Sequence, residues 1–280
     1  MNSVSKKVLF INLDKSTSEV KTFPDLHKYI GGVALGLKLY ELYQNEDPLI
    51  FSIGPLNGFF PFISKTSVVF ETDGLIEDVY FGGYLSSRLR FSDLDSLIIF
   101  GRASQPVILD LQNESVSFRE DDAPHNSLGL PGKRSFLGIV KKQPLLDDYF
   151  LSPESGLGQK FEKKRLAGLS VTGTAVYTPK DMDKYTTVYK QLLARTKEVG
   201  AEHGFFPSCS GCPMGCAKSN LGEVGGNVLS HSLVACGFAE NIYTDVGTVF
   251  SCLNILGYDY THEDIENLPI LVQNVLKNLG

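Results

Sequence analysis

The sequence predicts an α+β protein, rich in strands through about residue 178 and helical from there onward. Three observations carry that expectation. Apolar, β-rich runs such as Val8-Leu9-Phe10-Ile11-Asn12-Leu13 alternate with polar turns in the first part. Helix-start residues appear at Thr178-Pro179-Lys180-Asp181, and helical spacing follows. The length, 280 residues, is near two domain-lengths at ~150 residues each, which suits a β-rich domain at 1–178 and a helical domain at 179–280.

The elements follow in order. Val8 to Leu13 and Glu19 to Phe23, joined by Asp14-Lys15-Ser16-Thr17-Ser18, read as a hairpin. Pro24 to Tyr43 carries helical spacing through Leu26, Tyr29, Ile30, Val33, Leu37, Tyr40 and Leu42, with Gly31-Gly32 marking a break near its start. Leu49 to Ile53 is a short buried-type strand ended by Gly54-Pro55, and Thr66 to Glu71 is another strand. Gly82-Gly83 opens a short helical segment that runs through Arg90. Leu97 to Phe100 is a strand closed by Gly101, and Pro106 to Leu111 with Ser115 to Arg119 forms a second hairpin. Residues 120–164, with Pro124, Pro131, Gly132, Pro144, Pro153, Gly156 and Gly158, read as loop-rich, and Leu166 to Thr172 returns as a strand. The run Lys160, Lys163, Lys164, Arg165 reads as a solvated face. Thr261-His262-Glu263-Asp264 is a second helix start of the Thr178 kind.

Composition narrows the function classes. Hydrophobic residues at 42% and charged residues at 21% describe a chain that folds on a core rather than a disordered one. The formal charge of -6, with no basic stripe, argues against a nucleic-acid binder. No apolar run approaches the ~20 residues of a membrane span. Met1 to Leu9 has no apolar secretory core, so the expected compartment is the cytoplasm.

The five cysteines are unevenly placed. Cys209, Cys212 and Cys216 crowd one loop in a C-x2-C-x3-C pattern, while Cys236 and Cys252 stand alone. In a cytoplasmic chain, such clustering points to metal or redox chemistry before disulfides. Thiolates at this spacing can converge on one iron–sulfur cluster face, and Gly211 and Gly215 permit the tight backbone whose N–H groups bond cluster sulfides. The same loop admits a zinc site with His203 or His231 as fourth ligand, or no metal at all. Cys236 and Cys252 read as small buried hydrophobes, with either one an alternative fourth ligand.

At these residues the chain resembles the tungsten-dependent aldehyde:ferredoxin oxidoreductase family. Cys209 through Cys212-Pro213 to Gly215-Cys216 is similar to that family's cluster loop. Val8 to Leu13 with Gly31-Gly32-Val33-Ala34-Leu35-Gly36 resembles its N-terminal hairpin and Gly-rich helix. Asp47 through Ile53-Gly54-Pro55-Leu56-Asn57-Gly58 resembles its strand and G-P-L-T-G turn. Gly82-Gly83-Tyr84, then Asp95 to Ala103, then Pro106-Val107, follow its G-G-Y, D-A-I-V-x-x-G-K-A and K-P-V-Y segments in order, and Leu256-Gly257-Tyr258-Asp259 follows its L-G-L-D turn. The ordered series covers nearly the whole chain.

The resemblance implies two packed β-sheets forming the seat of a tungsto- or molybdopterin, with helices over them. It implies aldehyde oxidation, a [4Fe-4S] cluster on Cys209, Cys212 and Cys216, and ferredoxin or another carrier as electron acceptor. It places cofactor contacts at Lys65, Gly82, Gly83 and Asp259, with Arg88 a further phosphate partner. The match departs in places. Asn254 stands for the family's leading Asp, residues 246–258 hold no Asp or Glu, Lys65 stands for an Arg, and a segment near Gly156-Leu157-Gly158 is missing. The family's later helical part, with its fourth cysteine, has no counterpart in these 280 residues. The expected protein is therefore a shortened oxidoreductase acting on aldehydes, not self-sufficient, completed by a complementary subunit or a homodimer. A non-catalytic partner or scaffold and a zinc-stabilised structural protein are the alternatives.

Overall fold

The computed structural model describes residues 4–280. Its strands are β1 (Lys6–Asn12), β2 (Thr17–Phe23), β3 (Leu49–Ser52), β4 (Thr66–Thr72), β5 (Leu75–Phe81), β6 (Ser96–Phe100), β7 (Val107–Gln112), β8 (Ser115–Glu120), β9 (Arg134–Val140), β10 (Gln143–Leu146), β11 (Phe150–Leu151), β12 (Leu166–Thr172) and β13 (Glu223–Val224). The helices are α1 (Gly32–Tyr43), α2 (Leu85–Phe91), α3 (Leu157–Lys164), α4 (Met182–Ala194), α5 (Val228–Ser232), α6 (Glu240–Tyr243), α7 (Val246–Leu256), α8 (His262–Glu266) and α9 (Leu268–Leu279).

The strands form two sheets, as expected. The first has seven strands in the order β13-β5-β4-β3-β6-β1-β2, and the second has six in the order β11-β10-β9-β12-β7-β8. Both are mixed: β1 runs parallel to β6 and β7 parallel to β12, while the other pairings are antiparallel. The central strands of the first sheet are buried on both faces. Along β1, Val8 and Phe10 face a core shared with α1 and the C-terminal helices, while Leu9 and Ile11 face a core shared with the second sheet. This explains why β1, β3 and β6 read as continuous apolar runs rather than alternating ones. Each fully buried Leu, Ile or Phe contributes about 1.5–3 kcal/mol, so the two cores hold the layers together.

Several elements differ from the sequence reading. Pro24 to Tyr43 splits into a 3-10 turn (Pro24–Tyr29) and α1, with the chain reversing at Ile30 (φ 53°). A side chain at Gly32 would strike the backbone of His231 and Ser232, so the glycine pair lets α1 seat against α5. Strand β5 escaped notice because Glu77 and Asp78 interrupt its apolar pattern. Glu77 is spent on the backbone N–H of Gly156 (3.0 Å), and Asp78 accepts from the Tyr80 hydroxyl (2.8 Å). The stretch 120–164 is not mainly loop: it holds β9, β10, β11 and α3. Helix α4 starts at Met182 rather than Thr178, because the Asp181 carboxylate accepts from the Lys184 N–H (3.0 Å) and caps it. The Thr261 start holds, with a complete capping box to Asp264.

The lysine run is only in part a solvated face: Lys163 is exposed, but two of its members are not. Lys160 and Lys164, one turn apart on α3, are each 1% exposed. Lys160 pairs with Asp47 and donates to the Glu71 carbonyl (3.1 Å). Lys164 donates to the Gly101 carbonyl (3.3 Å) and lies 3.9 Å from Asp47. Burial opposes the Asp47 charge, but the Lys160 and Lys163 ammonium groups hold its carboxyl below the ordinary value. These bonds tie α3 to the first sheet.

Burial pulls the Lys164 pKa from 10.5 down to about 8. Between those values the unfolded chain binds a proton that the folded chain does not, so this residue's contribution to stability rises with pH across that window. Lys164→Met is expected to remove the rise. Denaturation of both proteins at pH 7.5 and pH 10 should show the difference shifting toward wild type by on the order of 2–3 kcal/mol.

Candidate functional site

The site lies where β4 and β5 end. Thr66 pairs with Phe81, so Lys65 and Gly82 stand next to each other just beyond the ladder. The Lys65 N–H donates to the Val234 carbonyl (3.0 Å) and the Cys236 N–H to the Phe62 carbonyl (2.9 Å), which zips residues 234–236 onto residues 62–65. On the other side β13 adds to β5 with Glu223 opposite Tyr80. The polar residues of three separate stretches are thereby gathered at one sheet corner.

Lys65 is 1% exposed, and its ammonium meets Glu223 Oε1 at 2.8 Å. Burial works against the Lys65 charge, yet the acidic groups of Cys236, Glu223 and Cys209 hold its pKa above the ordinary lysine value. The Cys236 thiol faces the same Glu223 oxygen at 3.9 Å. His231 stacks on Tyr80 at 4.0 Å and lies 3.8 Å from Glu223, and burial lowers its pKa despite that carboxylate.

The cysteine loop closes on this corner. Cys209 is buried with its Sγ directly over Gly82, where a Cβ would overlap the sulfur. The Ser210 N–H donates to the Gly83 carbonyl (3.0 Å), and the Cys212 N–H to the Cys209 carbonyl (3.0 Å). Gly211 (φ 70°) and Gly215 (φ 48°) take the left-handed turns of the loop. Burial pushes the Cys212 thiol up to about 11; the Met214 N–H pulls it down, and the charges of Cys209 and Cys216 add to the rise. The three thiols therefore share one electrostatic neighbourhood, and Lys65 belongs to it. Cys209 packs with the core between the sheets, Cys216 with the core under the helices, and Cys212 with both. Among the described residues, no group of three His, Cys, Asp or Glu is arranged to hold a single metal ion.

The other expected residues fall elsewhere or are already engaged. Beyond Gly83 (φ 95°) the Tyr84 N–H donates to Asp147 Oδ2 (2.8 Å), so this helix start is occupied by a carboxylate of the chain itself. Arg88 donates weakly to the Gly132 carbonyl (3.5 Å). Asp259 is mostly exposed and bonded to His27 Nε2 (3.0 Å), and no described contact joins it to Lys65, Gly82 or the cysteine loop. Asn254 lines a groove between α4 and α7. His203 stands beside Phe205. Cys252 is buried, and burial alone raises its thiol to about 12, whereas Cys236, raised to about 12 by burial, also feels Lys65 and Glu223. The sequence reading missed Glu223 and Asp147. Glu223 had a signal: it is the single acid between His203 and Ala239, and a buried lysine needs one.

The close approach of Gly82 to Cys209 gives a direct prediction. Gly82→Ala should push the cysteine loop off the sheet, at a cost of about 1–3 kcal/mol. Thermal unfolding should show the loss, and native-state alkylation of Cys209 by iodoacetamide should become faster.

Comparison with known proteins bears on this corner. Residues 8–135 match the family model "Aldehyde ferredoxin oxidoreductase, N-terminal domain". The chain is 24% identical over 238 residues to the tungsten-containing aldehyde ferredoxin oxidoreductase of Pyrococcus furiosus, covering 71% of this chain and 38% of that one. It is 32% identical over 129 residues to the same-named protein of Pyrococcus abyssi (41% of this chain, 21% of that one). It is also 32% identical over 136 residues to the aliphatic sulfonate oxidoreductase WOR-like subunit of Pyrococcus furiosus (43% and 22%). It thus spans well under half the length of these relatives. A solved chain from the active site complex BamBC of benzoyl coenzyme A reductase, bound to 1,5-dienoyl-CoA, shares the fold. Its TM-score is 0.62 at 15% identity, covering 98% of this chain and 63% of that one. Residues 8–135 are thus similar to the N-terminal domain of aldehyde ferredoxin oxidoreductases, and the chain as a whole shares its fold with the BamBC chain.

Proposed function

We propose that this chain is the electron-transfer part of a cytoplasmic oxidoreductase acting on aldehydes, with an iron–sulfur centre on Cys209, Cys212 and Cys216. The observation that carries the reading is the seat of Cys209 over Gly82, with Cys209 and Cys212 in the electrostatic reach of Lys65 and Cys216 in that of Cys212. Three thiolates in one loop beside permissive glycines are a donor set of the kind that iron–sulfur clusters take. An iron–sulfur centre supplies one-electron transfer when bound. The chain's own residues prepare for it in stated ways. Lys65 offsets the negative charge of the thiolates in a buried place, favouring their deprotonated form. Gly82 leaves the space that Cys209 occupies, and Gly211 and Gly215 turn the loop so that its N–H groups can face sulfur.

The tungsto- or molybdopterin fits less well. The Lys65 ammonium is spent on Glu223, the Tyr84 N–H on Asp147, and Asp259 on His27. Lys65, Gly82, Gly83 and Asp259 therefore do not form one seat, and no step of the reaction is assigned to a pterin on this chain.

A complementary subunit is the proposed partner, with ferredoxin or another carrier taking the electrons. Phe205, Phe206, Leu221 and Val224 are exposed beside the cysteine loop and give such a subunit an apolar landing. The names of one relative, a WOR-like subunit, and of the BamBC complex support this assignment. No helix among the described residues is long and apolar enough to cross a membrane.

Anaerobic purification with iron, sulfide and zinc analysis tests the reading. Iron and acid-labile sulfide in near-equal amounts, with a charge-transfer band bleached by dithionite and lost in Cys212→Ser, is the expected result. Stoichiometric zinc without sulfide would sink it and favour the structural alternative.

A further inference from the structure

The segment that follows the cysteine loop, residues 219–224, lies across the functional corner as a strap. Alternate residues of it each set an acceptor on a buried group beneath. The Ser219 carbonyl is 3.8 Å from Cys209 Sγ, the Leu221 carbonyl accepts from the Lys65 ammonium (3.4 Å), and Glu223 Oε1 pairs with that ammonium (2.8 Å). Lys65 and Cys209 are both buried. Among the described residues, the hydrogen-bond and ion-pair partners of the Lys65 ammonium thus both sit on the strap.

The strap is lightly held. Its ladder to β5 pairs only Glu223 with Tyr80 and Val224 with Val79, whereas β5 pairs with β4 along its whole length. Leu221 and Val224 are exposed and belong to neither core. Gly225 (φ 62°) and Gly226 (φ 136°) follow at once and form a hinge that other residues resist. Further ties are the Leu151 N–H to the Asn220 carbonyl (3.0 Å), Gly222 against Pro153, and the Gly237 N–H to Glu223 Oε2 (3.0 Å). A segment with so few buried contacts opens at a lower free energy than the sheet it rests on. Lifting it breaks the ion pair but returns both charges to water. It therefore avoids the penalty of leaving Lys65 buried and alone.

We propose that residues 219–224 are a gate. The strap lifts about the Gly225-Gly226 hinge while β4, β5 and the cysteine loop stay in place, and this opening gives solvent species access to Cys209 and Lys65. Glu223 is its latch, because it alone joins the strap to a buried opposite charge. What the gate admits rests on the metal reading above, in which a thiophilic metal ion must reach a buried Cys209. That it opens does not rest on that reading, and the test is run on the chain without metal.

Native-state labelling of the full chain, read by mass spectrometry, follows two reporters and two controls. Iodoacetamide reports on Cys209, with the buried Cys252 of α7 as control, and an amine-reactive acetyl ester reports on Lys65, with the buried Lys6 as control. Relative to free cysteine and lysine, Cys209 and Lys65 are expected to share one opening equilibrium and to react roughly 100-fold or more faster than the controls. Their rates should change little with low urea, since the strap exposes little surface, while Cys252 and Lys6 follow global unfolding. Hydrogen exchange should show the Gly237 N–H opening with the reporters, and the Ser210 N–H, bonded to the Gly83 carbonyl, staying protected. Glu223→Gln should speed both reporters by about tenfold or more beyond any change in the controls. Should that variant fail to fold, the wild-type comparison of reporters with controls decides. Reporters that react only as fast as Cys252 and Lys6, reporters with unrelated opening equilibria, or a Ser210 N–H that exchanges with them would each overturn the proposal. So would a folded Glu223→Gln that leaves the reporters unchanged relative to the controls.

Discussion

The buried ion pair between Lys65 and Glu223 is the constraint on which the functional corner depends. A lysine with a 2% exposed side chain keeps its charge only if a carboxylate comes to it. That carboxylate arrives on β13, a strand of two residues at the edge of the first sheet, directly after the cysteine loop. The pairing therefore decides where the loop ends, just as the contact of Cys209 with Gly82 decides where it begins. Cys236 and His231 then fall in beside Glu223 because residues 234–236 are hydrogen-bonded to the segment that carries Lys65.

The rest of the architecture makes that corner rigid. The first sheet serves two cores at once, so a shift of β4 or β5 would disturb packing against both the helices and the second sheet. The second sheet is tied back through α3, whose buried lysines converge on Asp47. A site at the end of such strands inherits their precision, which the proposed metal centre would require of its thiols.

Much of this was legible in the sequence, and the failures have physical causes. Strands β1, β3, β4, β6, β7 and β12 were readable because burial leaves apolar runs, and β2 and β8, mostly exposed, were readable from the polar turns that precede them. Strand β5 was not, since Glu77 and Asp78 are used to bond neighbouring groups rather than to meet solvent. The lysines of α3 looked like a wet surface because sequence alone does not reveal a single aspartate, over a hundred residues earlier, that gathers them. The cysteine loop was visible from its spacing. Its relation to Lys65 was not, because it depends on two chain reversals and on a strand too short to leave a pattern. The expectation for Asp259 arose from a motif whose partner residues differ here, and the structure places it with His27 instead.

A double-mutant cycle on Lys65 and Glu223, followed by chemical denaturation, tests the claim that this pair anchors the corner. Glu223→Leu leaves Lys65 buried without its counter-charge and is expected to cost about 3–5 kcal/mol, while Lys65→Met together with Glu223→Leu should cost clearly less than the sum of the two singles. Singles that each cost under about 1 kcal/mol, as for an exposed pair, or costs that simply add, would contradict the account.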